Sequence, residues 1–161
     1  MAAKSFDTLI IGAGLLGSST AYHLARLGAR NVAVIDADLA GRLSSSELNA
    51  GGARATWDQS LNVQLARDSI EFLRAHRDIT GYRDCGYLWM WEPAKWKGAL
   101  DRVKFLKAKH GIDVDVLDVP ALRAKAPFID KTDDLAGATF APLDGLFNPN
   151  LLKNYFRDEA R

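Results

Sequence analysis

Phe6-Asp-Thr-Leu-Ile-Ile-Gly-Ala-Gly-Leu-Leu-Gly17 is an apolar run that breaks into a glycine-rich turn, and together with the residues up to Asp36 it decides the fold. Phe6, Leu9, Ile10 and Ile11 supply the near-continuous hydrophobicity of a buried parallel strand. Ala21, Leu24, Ala25 and Leu27 then recur at helical spacing, Gly28 offers a C-terminal stop, and Val32, Val34 and Ile35 form a second strand ending in Asp36. Gly12, Gly14 and Gly17 stand as G-x-G-x-x-G between strand and helix. In that context Gly12 permits the tight turn, Gly14 lets backbone approach a pyrophosphate, and Gly17 lets helix pack on strand. Leu15 and Leu16 open the helix, whose first N–H groups and positive dipole end favour an anion. Asp36, followed by Ala37, stands where a carboxylate accepts hydrogen bonds from both hydroxyls of an adenosine ribose and repels a 2′-phosphate. The alternative is a βαβ unit whose glycines serve packing alone.

The rest of the composition narrows the class. With 161 residues, 48% hydrophobic and 25% charged, the chain is the size of one domain and has the make-up of an ordinary globular protein. Its 21 basic and 20 acidic residues leave a net charge of +1, so no strong field points to nucleic acid or an anionic membrane. The apolar stretch around Leu9 is interrupted by glycines and reads as neither a signal peptide nor a membrane span. Cys85 is the only cysteine, which excludes an intrachain disulfide and fits a reducing cytoplasm. Three scattered histidines, His23, His76 and His110, provide no metal site.

Residues 37–60 lose periodicity and are rich in Ser, Ala and Gly, the signature of a long functional loop. A helix is expected over about 60–77, a strand over 87–91 and a second helix over about 94–109, stopped by Gly111. Val114, Val116 and Leu117 alternate with aspartates as in a half-buried strand, Asp118 caps a short helix, 138–141 reads as a strand, and Asp144-Gly145 as a turn. Asn148-Pro149 opens a last helix. Because a doubly wound sheet needs more parallel strands than one βαβ unit supplies, the chain reads as unfinished. The expected division is 1–80 for the N-terminal part of a nucleotide-binding domain, 81–145 for the start of a β-rich domain, and 146–161 for a truncated helix returning to the first. Trp89 and Trp91 share a strand face with Tyr87, which favours core packing over a cage for a quaternary ammonium.

Ser44-Ser-Ser-Glu-Leu-Asn-Ala-Gly-Gly-Ala-Arg54 resembles the second fingerprint of the FAD-dependent D-amino acid oxidase superfamily, in the branch of sarcosine oxidase and dehydrogenase, dimethylglycine dehydrogenase and glycine oxidase. Cys85-Gly-Tyr-Leu-Trp-Met90 is similar to the strand that opens the substrate domain there, and Asp144-Gly-Leu-Phe-Asn-Pro149 to its Asp-Gly-x-x-x-Pro turn. The resemblance implies an α/β fold of the FAD/NAD(P)-binding type, in which 81–145 begins the substrate domain. It implies an FAD-dependent oxidation of a small amine or amino acid, with hydride passing from a carbon–nitrogen bond to the flavin. Ser45 and Ser46 would donate hydroxyls to phosphate; Asn49, Ala50, Gly51 and Gly52 would let backbone come close to the cofactor. Arg54 would approach the flavin or the substrate carboxylate, while the catalytic base stays unassigned. The loop has no His and Cys85 starts a strand, so FAD is expected to be noncovalent. Relatives are more than twice as long, so the chain alone is expected to be inactive, needing a C-terminal partner chain or associating with itself. Two alternatives stand beside this one: an NAD-dependent dehydrogenase, and a noncatalytic nucleotide-binding fragment or subunit needing a second polypeptide.

Overall fold

In the computed structural model, which describes residues 4–39 and 44–161, the chain runs β1 (Thr8–Ile11), α1 (Leu15–Arg26), β2 (Val32–Ile35), β3 (Gly52–Ala53), α2 (Ser60–Ala75), α3 (Arg77–Thr80) and β4 (Tyr87–Trp91). It continues with α4 (Pro93–His110), β5 (Asp115–Leu117), α5 (Val119–Lys125), β6 (Gly137–Ala141), β7 (Gly145–Leu146) and α6 (Pro149–Glu159). These elements fall into two units. One comprises Met1–Gly51, His76–Tyr82 and Phe147–Arg161, undescribed residues apart; the other comprises Gly52–Ala75 and Arg83–Leu146. The expected first domain, 1–80, therefore differs from the observed one. Gly52–Ala75 goes to the second unit because β3 pairs with β7, and because α2, with Val63, Ile70 and Leu73 buried, packs against β3 and α4. Among the described residues no helix is long and apolar enough to cross a membrane.

In the first unit β1 and β2 are parallel, in register from Thr8 opposite Val32 to Ile11 opposite Ile35, with α1 as the crossover. Helix α1 stops where the sequence provides a left-handed residue, Gly28 at φ +85°. Its Tyr22, 4% exposed, packs in tilted geometry against Tyr155 and Phe156 of α6, at ring-centre distances of 5.8 and 5.0 Å. Asn148 caps α6 by accepting from the N–H groups of Asn150 (3.0 Å) and Leu151 (3.2 Å), and Pro149 takes the first helical position. Leu9 and Ile11, on the alternate positions of β1, are exposed.

In the second unit β6 is the centre of a three-stranded antiparallel sheet in the order β4-β6-β5. The alternation of Val116 and Leu117 with aspartates thus marks an edge strand. Leu122, Ala126 and Ala138 form a small core, with Leu88, Leu117, Ile129 and Leu135 packed around it. Asp118 caps α5 by accepting from Ala121 N–H at 2.8 Å, and α4 ends on Gly111 at φ +65°. The stretch between β2 and α2 is less irregular than its composition predicts. Residues 44–48 form a turn and Gly52–Ala53 a short strand, while 40–43 lie outside the described residues.

Candidate functional site

The glycine motif turns out to be three different solutions to three different contacts. Gly12 has φ +106°, a conformation L side chains rarely adopt, and its N–H donates to Ile35 O at 2.7 Å, tying the turn to β2. At Gly17 an added Cβ would lie 1.8 Å from Gly12 O, so the helix could not rest on the turn with any side chain there. Gly14 is different: its φ is −68°, and among the described residues a Cβ would meet only Ser44 Cβ at 3.8 Å and Ser46 Oγ at 3.9 Å. None of the described residues imposes a steric need for glycine at 14. A group placed against the start of α1 does, and this is the cradle a pyrophosphate requires. Gly14 is also the N-cap and supplies no capping side chain, leaving the first-turn N–H groups of α1 to other partners.

Two side chains converge on that loop. Asp36, directly after β2, accepts from Ala13 N–H at 2.5 Å and from Asp38 N–H at 2.8 Å. The Ala13 N–H above all, then that of Asp38, hold its carboxyl below the ordinary aspartate value against desolvation, with the Ala37 N–H adding least. Asp36 thus stands as an exposed carboxylate at the mouth of the turn. Ser46 Oγ, nearly buried, accepts from Leu15 N–H at 3.2 Å, while Ser45 and Leu16 are exposed. Asn49 Oδ1 accepts from Gly51 N–H at 2.5 Å. Gly51 has φ +78° and its Cβ would lie 1.9 Å from Phe147 O. Its lack of a side chain is therefore already required by the protein's own backbone.

Lys153 and Glu47 carried no signal in the sequence. Lys153 of α6 is 2% exposed, and its Nζ is ion-paired with Glu47 in the 44–48 turn. A helical lysine reads as solvated from its sequence context, and only the tertiary fold supplies its partner.

Gly52 and Arg54 belong to the second unit. A Cβ at Gly52 would lie 2.2 Å from the Tyr87 hydroxyl. The Arg54 guanidinium lies over the rings of Trp57 and Trp89, at 4.7 and 4.9 Å, and Arg54 O accepts from Trp57 Nε1 at 2.9 Å. Behind it Asp144, 1% exposed, accepts from Ala55 N–H at 2.8 Å and Thr56 Oγ1 at 3.3 Å. Burial raises its carboxyl above the ordinary range; the Ala55 and Thr56 hydrogen bonds and the Arg54 and Arg74 guanidinium groups oppose that rise. The Asp144-Gly145 turn hid this anchor, because a turn aspartate is ordinarily exposed. Trp89 stacks on Trp91 at 6.2 Å, and Arg102, held by Asp58, lies over Trp91 at 5.7 Å. Protein cations thus lie over these indoles where a methylated ammonium would have to bind.

Set beside known proteins, residues 7–161 match the family described as DAO, FAD dependent oxidoreductase. The chain is 30% identical to FAD-dependent oxidoreductase domain-containing protein 1 of Xenopus laevis, covering 96% of this chain and 34% of that protein. It is 28% identical to the mitochondrial sarcosine dehydrogenase of Mus musculus, over 89% of this chain and 16% of that enzyme. Glycine oxidase from Bacillus cereus superposes with a TM-score of 0.74 at 26% identity, covering 97% of this chain and 44% of its own. The chain thus spans about a third of the length of the frog relative. With the family match, the nicotinamide alternative falls away.

Proposed function

The chain belongs to the DAO family of FAD dependent oxidoreductases, and on that premise we propose that its first unit binds FAD noncovalently, in a protein that oxidises a small amine bearing a carboxylate. The observation that carries this reading is Gly14: it faces space that none of the described residues fills, beside the start of α1 and within reach of the Ser44–Ser46 segment. When bound, FAD supplies the hydride acceptor. The N–H group of Leu16 and the positive end of α1 hold the pyrophosphate, Leu15 N–H steadies Ser46 Oγ, and Ser45 and Ser46 donate hydroxyls to the phosphates. Asp36 accepts from the ribose hydroxyls. Asn49 fixes the backbone through Ala50 and Gly51, and Gly52 gives the chain room to pass closely.

Arg54 is the residue we assign to anionic chemistry. The indoles beside it hold the guanidinium in place, and its N–H fork is the group that grips a carboxylate or steadies negative charge on a reduced flavin. The sarcosine and glycine named for two relatives share a carboxylate next to the amine, and that is the substrate class proposed here. The rest of the amine site is assigned to sequence outside this chain, supplied in one polypeptide or by a partner chain. The isolated chain is expected to give no turnover. A reducing compartment such as the cytoplasm is proposed from the lone Cys85. Anaerobic mixing of the full-length holoprotein with sarcosine, glycine and methylamine tests the class. Bleaching of the oxidised-flavin band near ~450 nm by the two amino acids and not by methylamine is expected; equal bleaching by methylamine would remove the carboxylate requirement.

A further inference from the structure

The buried ion pair of Lys153 and Glu47 sits outside every role assigned so far, yet it is joined to the glycine loop in two short steps. Glu47 belongs to a turn whose Ser44 O accepts from the N–H groups of Glu47 (2.9 Å) and Leu48 (3.3 Å), which ties the backbone of Glu47 to that of Ser44. The same turn carries Ser46, whose Oγ accepts from Leu15 N–H, and Ser44 and Ser46 are the atoms nearest the open side of Gly14. Lys153 reaches this turn from α6, which is fixed in its turn against α1 by Tyr22, Tyr155 and Phe156. A lysine held 2% exposed needs a charged partner, so the pair locks once formed.

We propose that Lys153 and Glu47 are positioning residues for the cofactor: a strut between α6 and the 44–48 turn that sets the spacing of Ser44 and Ser46 from the glycine loop. The proposal rests on the FAD reading above. Its consequence is that the cradle is preorganised before the cofactor arrives, and a preorganised site binds more tightly by the ordering it no longer has to do on binding.

The test uses the full-length protein, titrated with FAD by flavin fluorescence, with the ³¹P resonances of bound FAD as a second readout. Replacing both partners by apolar residues of similar volume, Glu47→Leu with Lys153→Met, removes the strut while a buried pair of this kind is commonly dispensable for stability. The apo double variant is expected to melt close to wild type, to bind FAD about tenfold more weakly, and to shift the pyrophosphate resonances. Lys153→Arg, which keeps the pair, is expected to retain near-wild-type affinity. Wild-type FAD affinity with unshifted ³¹P signals in a folded double variant would overturn the proposal. Should the double variant fail to fold, Glu47→Asp decides, because it keeps both charges and shortens the strut by one methylene: unchanged affinity and ³¹P signals overturn the proposal, and a loss with shifted signals supports it. Failure of the wild-type protein to bind FAD would instead overturn the cofactor reading on which all of this rests.

Discussion

Gly14 and Gly17 lie three residues apart in one motif, yet alanine at each should fail for opposite reasons. At Gly17 the new Cβ would sit 1.8 Å from Gly12 O, where ordinary contact begins at 3.4 Å, so turn and helix must separate by 1.6 Å (3.4 − 1.8). The obstacle is backbone, and that backbone is tied to β2 through Gly12 N–H and Ile35 O. Overpacking of this kind costs about 3 kcal/mol, and loss of the Gly12 bond adds about 1 kcal/mol. Gly17→Ala should therefore lower stability by about 3–4 kcal/mol, or roughly 6–16 °C in melting temperature for a chain of this size. At Gly14 the methyl finds, among the described residues, only contacts of 3.8 and 3.9 Å, and φ is −68°. Gly14→Ala should cost under about 1 kcal/mol, the difference between glycine and alanine at an N-cap. It should nonetheless weaken FAD binding at least ~100-fold, since the methyl occupies the approach of the pyrophosphate. Melting of the apoprotein by circular dichroism, beside an FAD titration of the full-length protein, separates the two. Gly98→Ala, with no atom within 4 Å and in the interior of α4, is the control and should gain about 1 kcal/mol. Wild-type FAD affinity in Gly14→Ala would refute the cradle, and a Gly17→Ala protein melting like wild type would refute the packing.

Two further expectations come from the carboxylates. Asp36→Ala should weaken FAD binding by about tenfold or more, read by fluorescence titration, with melting of the apoprotein lowered modestly by loss of the Ala13 and Asp38 N–H bonds; equal affinity would remove the ribose assignment. Asp144 titrates above its ordinary value of 3.8 in the fold, so its proton favours the folded state at low pH, and that contribution is lost as pH rises through the raised value. Relative to wild type, Asp144→Asn should therefore gain stability as pH climbs upward from about 4, measured as the difference in melting temperature between pH 3 and 7. A difference that stays flat, or shrinks with pH, would contradict a raised Asp144. Asp36, held lower, works in the opposite direction: its contribution is present above 3.8 and is lost as pH falls.

What the sequence makes legible here is local. The strand at Tyr87–Trp91, the helix closed by Gly111, the Asp118 and Asn148 caps and the Val32–Ile35 strand ending in Asp36 all arise from periodicity and end signals acting over a few residues. The separate functions of Gly12 and Gly17 were legible for the same reason, because the motif fixes both sides of each contact. Contacts across long separations were not legible. Gly51 and Gly52 look like cofactor glycines, yet the contacts that first demand glycine there come from Phe147 and Tyr87. Asp144 is an ordinary turn residue until Ala55 and Thr56 fold against it, and nothing near Lys153 in sequence announces Glu47. The placement of Gly52–Ala75 in the first domain differed from the fold for a similar reason, since a two-residue strand such as β3 has no periodicity to read.

The pairing of α1 with α6 also sets a timetable for synthesis. The ribosome completes α1 at Arg26 and does not reach Asn148 for another 122 residues (148 − 26), an interval of roughly 6–24 s at ~5–20 residues per second. During that interval the Tyr22 face of α1 has no native cover, and the nascent βαβ unit must wait while the intervening unit emerges and folds on contacts of its own. The dinucleotide fold, which opens this stretch, is thus among the last parts of it to close, and its apolar helix face is where a chaperone has the longest time to act.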